Sequence, residues 1–342
     1  MDAVGSPPAH YGNPLGEQRA LASGEAVVDL SHRSILTLTG PDRLTWLDSL
    51  TSQSVARLAP GESSETLQLD PNGHVEFAIR LVDDGETLWL LVDEGEGEPL
   101  AAWLLKMRFM LRVEITDVSD QFATIGTFGT PDLPAAVTWH DPWTSVVAGG
   151  HQYALTPSHP AAAWSYSELV IPRSALAAAA AIPAAGTLAL EALRIAAWRP
   201  RFATEVDDRS IPHELDWLRS AVHLSKGCYR GQETVAKVHN LGHPPRRLVL
   251  LHLDGSEGVL PAAGSEVSLG DKQLGLVTSS ANHYELGPIA LAVVKRNVDP
   301  AATLTVTAEE ILIAAAQEVI VPTDAGAVAD VPRLPRLGAV TR

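Results

Sequence analysis

Apolar and polar positions along the chain change period several times, and each change marks an element. Residues 27–39 (VVDLSHRSILTLT) are dense in β-branched and apolar types and predict a strand. Gly40-Pro41-Asp42 then opens a helix, with proline early and an acid in the first turn. Leu44, Leu47 and Leu50 recur on one face of it. TLQLD, HVEFAIRLV and ETLWLLVDE follow, joined by Pro71-Asn72-Gly73 and Asp83-Asp84-Gly85, and predict an antiparallel meander. Residues 98–111 carry a helical stripe of Leu100, Trp103, Leu104, Met107 and Leu111. Strand-like runs at 113–116, 122–128, 143–147 and 166–171, an Ala-rich helix over 174–181 and a helix over 187–197 complete an α+β region.

From Arg247 onward the texture is different. RLVLLHL, SEVSL, QLGLVTS, IALAVV and TLTVT are short strands separated by Gly, Pro and Asp, the pattern of a small β-barrel or sandwich. Pro244-Pro245 marks the boundary. The expected plan is a leader over 1–25, an α+β region of two subdomains over 26–243, a barrel over 244–321 and a disordered Pro- and Ala-rich tail over 322–342. The leader has neither a basic n-region nor an apolar h-region, so it reads as frayed chain and not as a secretory signal.

Composition narrows the class. At 342 residues the chain exceeds one compact core, and a 46% apolar content excludes global disorder. No apolar run is long enough to cross a bilayer. A single cysteine excludes an intramolecular disulfide framework and favours a reducing, cytoplasmic setting. The net charge of −16 opposes non-specific nucleic-acid binding by the whole surface. Against that background residues 223–247 form a basic island, with Lys226, Arg230, Lys237, Arg246 and Arg247 facing one acid, Glu233.

The one cysteine, Cys228, lies in that island between Gly227 and Gly231. Cations at Lys226 and Arg230 favour a thiolate, and the glycines allow the backbone close to a ligand. The other reading of Cys228 is a small buried hydrophobe. His239 and His243 do not make a zinc site, because Asn240, Gly242 and Pro244 oppose a helix there, and one cysteine cannot hold an Fe–S cluster alone. Gly-rich phosphate loops are absent. Arg194, Arg199 and Arg201 cluster after the 187–197 helix, either as an anion-recognition edge or as a solvated helix end.

The run Lys226-Gly227-Cys228-Tyr229-Arg230-Gly231-Gln232-Glu233 resembles the KGCYxGQE signature of the YgfZ family, which is related to the glycine-cleavage T-protein, an aminomethyltransferase. VVDLSHRSILTLTGPDRLTWLDSLTSQSV, LQLDPNGHVEFAI, LEALRIAAWRPRFATEVDDRSIPHE and GLVTSSANHYELGPIALAVV resemble further stretches of that family in the right order. The resemblance implies the aminomethyltransferase fold, with two α+β domains and a C-terminal β-barrel around a channel for tetrahydrofolate or a derivative. It implies support of Fe–S cluster assembly or repair, including for tRNA-modifying enzymes, with no stably bound metal. Cys228 would be the working thiol; Lys226, Gly227, Tyr229, Gly231, Gln232 and Glu233 would shape its turn; Arg194 would meet the folate glutamate tail. Two departures stand out. The aminomethyltransferase Asp-Asp pair falls at about Phe77-Ala78, with Glu76 one step earlier, and Tyr166-Ser167-Glu168 only echoes the YTGE pterin motif. The rival expectation is folate-dependent one-carbon transfer with Glu76 or Glu168 as the carboxylate. Direct tRNA binding is disfavoured by the acidic surface.

Overall fold

The computed structural model describes residues 6–329. The first half runs α1 (Pro14–Ala22), β1 (Val27–Asp29), β2 (Ser34–Thr39), α2 (Arg43–Leu50), β3 (Ser63–Leu69), β4 (Val75–Asp83), β5 (Thr87–Val92), α3 (Gly97–Met107), β6 (Glu114–Asp117), β7 (Phe122–Thr127) and β8 (Val137–His140). The second runs β9 (Ser167–Pro172), α4 (Leu176–Ala179), β10 (Ala184–Ala185), α5 (Thr187–Ala196), α6 (Phe202–Glu205) and α7 (Gln232–Leu241). The barrel strands follow: β11 (Arg246–Leu253), β12 (Glu266–Leu269), β13 (Lys272–His283), β14 (Gly287–Lys295), β15 (Leu304–Ala308) and β16 (Ile311–Val319).

These strands form two five-stranded sheets, β10-β1-β7-β9-β8 and β3-β4-β5-β2-β6, and a closed barrel β11-β14-β13-β12-β15-β16. One central core lies between the three. It takes Val28 and Val170 from the first sheet, Trp89 and Leu91 from the second, and Leu248, Leu250, Ile289 and Leu291 from outside the barrel. Val249, Leu251, Ala290, Ala292 and Val294 fill the barrel instead. Both faces of β11 and β14 are therefore buried, which is why RLVLLHL and IALAVV read as unbroken apolar runs. The far face of the second sheet packs Leu36, Leu38, Leu88 and Leu90 on Trp46, Leu47, Leu100 and Leu104 of α2 and α3.

Several expectations change. The strand expected over 27–39 is two strands in two different sheets. The break is at 30–33, where the Ser31 amide donates to the Asp29 carboxylate and the Arg33 amide to the Leu30 carbonyl. The helix expected to reach residue 111 stops at Met107; Phe109 takes φ 47°, and Leu111 leaves the stripe. The strand expected at 143–147 is a 3-10 turn over Pro142–Thr144, capped by the Asp141 carboxylate, and the strand lies earlier, in β8. The Ala-rich helix shrinks to α4 after a 3-10 turn at Arg173–Ala175.

The leader also corrects. Residues 14–22 are α1, with Asn13 capping the Gly16 amide, Pro14 in the first turn and Glu17 accepting from the Tyr11, Asn13 and Gly186 amides. Gln18 ties α1 to the barrel through Asn282 and Tyr284. The start of the expected tail is placed as well: Ala325 is buried, and the Val328 and Ala329 amides donate to the His239 and Asn240 carbonyls of α7. Residues 1–5 and 330–342 lie outside the described residues. Among the described residues no helix is long and apolar enough to cross a membrane.

Candidate functional site

Where the two sheets meet α5, the central core becomes charged. Arg33 enters from the 30–33 crossover, Arg80 from β4, Asp93 from the end of β5 and Glu168 from β9. Arg33 pairs with Glu168, and its Nε lies 3.7 Å from Asp93. Arg80 reaches Asp93 at 2.8 Å and Glu168 at 3.2 Å, and the Tyr166 hydroxyl donates to the same Glu168 oxygen at 3.0 Å. Burial opposes the Glu168 charge, but the two guanidiniums outweigh it and hold the carboxyl below its ordinary range. For Tyr166, burial and the neighbouring carboxylate push the phenol well above its usual value, so it stays a donor.

A second tier surrounds this cage. Glu191 bridges Arg194 at 2.7 Å and Arg201 at 2.6 Å. Arg194 also donates to Glu205, Thr204 and the Arg199 carbonyl. Arg199 pairs with Glu65 at 2.7 Å and Asp141 at 2.9 Å, and Trp164 donates to the same Asp141 oxygen. The free space among these side chains is about 50 Å³. Its wall includes Trp139, Trp164, Tyr166, Glu168 and Arg201. Two buried atoms on this wall have no hydrogen-bond partner among the described residues, Glu168 Oε2 and Arg201 Nε.

The signature turn is elsewhere and is built differently. Cys228 is exposed, so the buried-hydrophobe reading falls. Lys226 does not face the thiol's solvent side. Its ammonium donates to the Asp48, Thr51 and Gln53 carbonyls at 2.5, 2.8 and 2.7 Å, closing the C-terminal end of α2. Tyr229 is buried, with that ammonium 5.4 Å from its ring centre. Arg230 turns to Glu76 at 3.5 Å. Gln232 donates to the Lys226 and Gly227 carbonyls and closes the loop, while Glu233 is exposed in the first turn of α7. Gly231, at φ +82°, is required: a Cβ would stand 2.7 Å from the Asp70 carbonyl of the β3–β4 hairpin. Gly227 faces open space and packs on nothing.

The basic island of the sequence dissolves in three dimensions. Lys226 is spent on carbonyls, Arg246 pairs with Asp207 and Glu214, and Arg247 is buried in the barrel. Only Lys237 stands in solvent without a carboxylate partner among the described residues. Arg194, expected to meet a ligand carboxylate, is 4% exposed and directs all five N–H groups at protein acceptors. It braces the cage, whereas Arg201 Nε makes no hydrogen bond among the described residues and lies 4.0 Å from the Asp93 carboxylate. His239 does lie in a helix, contrary to expectation, but it bonds Tyr153 while His243 bonds the Ala325 carbonyl. Among the described residues no group of His, Cys, Asp and Glu could hold a metal.

Sequence reasoning missed Arg33, Arg80 and Asp93. Arg80 carried a signal, since it is the one charge within the apolar half of HVEFAIRLV. Glu76 is the extra residue of a β-bulge, because Gln68 pairs with Phe77 and Leu69 with Val75. Its carboxylate accepts from Gln68 at 2.7 Å.

Comparison with known proteins agrees with this architecture. Residues 9–132 match the GCVT N-terminal domain. The chain is 27% identical over 316 residues to an aminomethyltransferase of Nostoc sp., covering 84% of this chain and 81% of that protein. It is 26% identical to a chloroplastic putative transferase of Arabidopsis thaliana, covering 79% of this chain and 66% of the other. The crystal structure of glycine cleavage system aminomethyltransferase T from Bartonella henselae superposes with TM-score 0.71 at 17% identity, over 93% of this chain and 91% of that one. The fold is that of the aminomethyltransferases. In domain match, relatives and architecture the chain is T-protein-like.

Proposed function

We propose that the protein binds a reduced folate in the arginine cage and, through the exposed thiol of Cys228, supports assembly or repair of Fe–S enzymes, tRNA-modifying ones among them. This is the YgfZ reading of the T-protein-like fold, in a cytoplasmic setting. The observation that carries the folate part is Glu168 Oε2, a buried carboxylate oxygen on the cavity wall with no partner. A carboxylate there suits the N–H edge of a 2-amino-4-oxopteridine, and Arg201 Nε suits a carboxylate tail. The free volume of about 50 Å³ is far below the roughly 300–1,000 Å³ of ligand pockets, so binding requires the Arg33–Glu168 pair to open. The folate would supply its one-carbon and redox chemistry; the cage would bind and orient it.

An accessory role is favoured over aminomethyl transfer by what replaces the Asp-Asp pair. Ala78 packs on the core, Phe77 stacks on Phe202, and Glu76 is engaged by Gln68 and near Arg230. No second carboxylate of that pair is left to handle an amine proton. The test is rescue of Fe–S enzyme activity in cells lacking the protein. Wild type and Glu76→Gln should rescue, and Cys228→Ala should not; full rescue by Cys228→Ala sinks the thiol role. One-carbon transfer remains the second reading, because Glu76 is half-exposed and the relatives are aminomethyltransferases. Turnover of an aminomethyl or N-methyl donor with tetrahydrofolate, lost in Glu76→Gln, would move the assignment to it.

A further inference from the structure

Outside the cage, the least compensated charge lies at one mouth of the barrel. Arg247 on β11 is 0% exposed. Its Nε and Nη2 donate to the Arg296 and Val298 carbonyls at 3.3 and 2.9 Å, and Nη2 also reaches the Gln317 side chain at 3.1 Å. Among the described residues Nη1 has no partner, and burial acts on the guanidinium with no carboxylate to offset it. A cation buried without a counter-ion is expensive.

Directly outside the Arg296–Val298 backbone is a cavity of about 440 Å³. Lys272, Lys295 and Arg296 line it with Leu274 and Asn297, and no acid does. On a chain of net charge −16 this runs against the trend. Lys295 donates to the Gln273 carbonyl and Arg296 to the Thr323 carbonyl, so neither cation meets a carboxylate there. Asp271 and Asp299 are neighbours in sequence but line no part of it. A second cavity of about 380 Å³ shares Leu274 and Lys295 and is walled by Val206, Leu276, Val277 and Val293. Its two acids are both paired, Asp207 with Arg246 at 2.5 Å and Glu205 with Arg194 at 3.0 Å.

We propose that these two adjoining cavities bind a small phosphorylated organic molecule. The phosphate sits among Lys272, Lys295 and Arg296, and the organic body lies on the apolar wall beside it. Arg247 adds its charge from behind one layer of backbone, where the low dielectric strengthens it. The phosphate half shares no lining residue with the folate cage or with the Cys228 turn, while the apolar half borders Thr204 and Glu205, which hold Arg194.

Calorimetric titration of the full chain at low ionic strength tests this, with pyrophosphate, adenosine diphosphate and adenosine as probes. Both phosphates should bind saturably, the nucleotide more tightly, and adenosine should not bind. Lys272→Gln and Arg296→Gln should each weaken binding by about threefold to fivefold, while Lys237→Gln on α7 changes nothing. Absence of saturable binding, or an equal loss in Lys237→Gln, overturns the site; equal affinity for pyrophosphate and nucleotide overturns the apolar half. As a second readout, pyrophosphate should raise the thermal midpoint of wild type more than that of Arg247→Met, at matched ionic strength. An equal rise in both overturns the role of Arg247, and if that variant does not fold, the two surface variants decide.

Discussion

The cage and the signature turn use the same residue types to opposite ends. In the cage, Arg33, Arg194 and Arg199 are buried, Arg80 is nearly so, and each meets at least one carboxylate, so charge is concentrated and compensated. In the turn, Lys226 locks onto three carbonyls and Gly231 presses against a hairpin, so that one side chain, Cys228, is left outside. The difference separates recognition from delivery. In the proposed function a ligand is selected by the compensated cage, once the Arg33–Glu168 pair opens, and a partner is met by a thiol on a latch. The most specific sequence motif thus marks the delivery end and says little about the ligand end.

The largest expected effect is on the cage. Glu168→Ala leaves Arg33 and Arg80 with Asp93 as their one shared carboxylate, which should cost about 3–5 kcal/mol in denaturant unfolding and abolish folate binding. Next is the latch: Gly231→Ala places a Cβ 2.7 Å from the Asp70 carbonyl at a positive φ. We expect a loss of at least about 1–3 kcal/mol and a changed rate of Cys228 alkylation, with folate affinity kept. If Gly231→Ala removes folate binding while remaining folded, cage and latch are not separate.

A pH test follows on the core beneath the latch. Burial holds His213 down at about 3, so unfolding takes up a proton there and stability rises with pH up to the ordinary histidine value of 6.5. Burial pushes Asp216 up to about 7, so the folded state keeps a proton that the unfolded chain loses above 3.8, and stability falls as pH rises through that window. The two oppose each other. Asp216→Asn should therefore steepen the rise in stability between about pH 4 and 6.5 and leave the variant more stable than wild type at pH 8. An unchanged pH profile would contradict the burial of that charge. The smallest effect is at Cys228: Cys228→Ala should shift stability by less than about 0.5 kcal/mol, because the side chain is exposed.

Much of the fold was legible where periodicity and turn chemistry agree. The β3–β4–β5 meander and five of the six barrel strands follow from apolar runs punctuated by Asn-Gly, Asp-Gly and similar turns. The strand over 27–39 misled because both halves are apolar, and only Asp29 and Ser31 mark the crossover that carries Arg33. The α1 cap, Asn13-Pro14 with Glu17 following, was present in the sequence but sits in a polar context that reads as leader. Most of the cage was illegible for a physical reason. Arg, Glu and Asp are usually solvated, so a sequence offers no sign that Arg199 and Glu65, 134 residues apart, are buried together. The island over 223–247 failed for the complementary reason, since all its cations but Lys237 are spent on partners distant in the chain or buried.

The separation of cage from latch is tested most directly by following tryptophan fluorescence during a tetrahydrofolate titration, because Trp139 and Trp164 line the cavity. Wild type and Cys228→Ala should show the same saturable quenching, and Glu168→Gln should show none. No saturable change in wild type, or its loss in Cys228→Ala, would contradict the account.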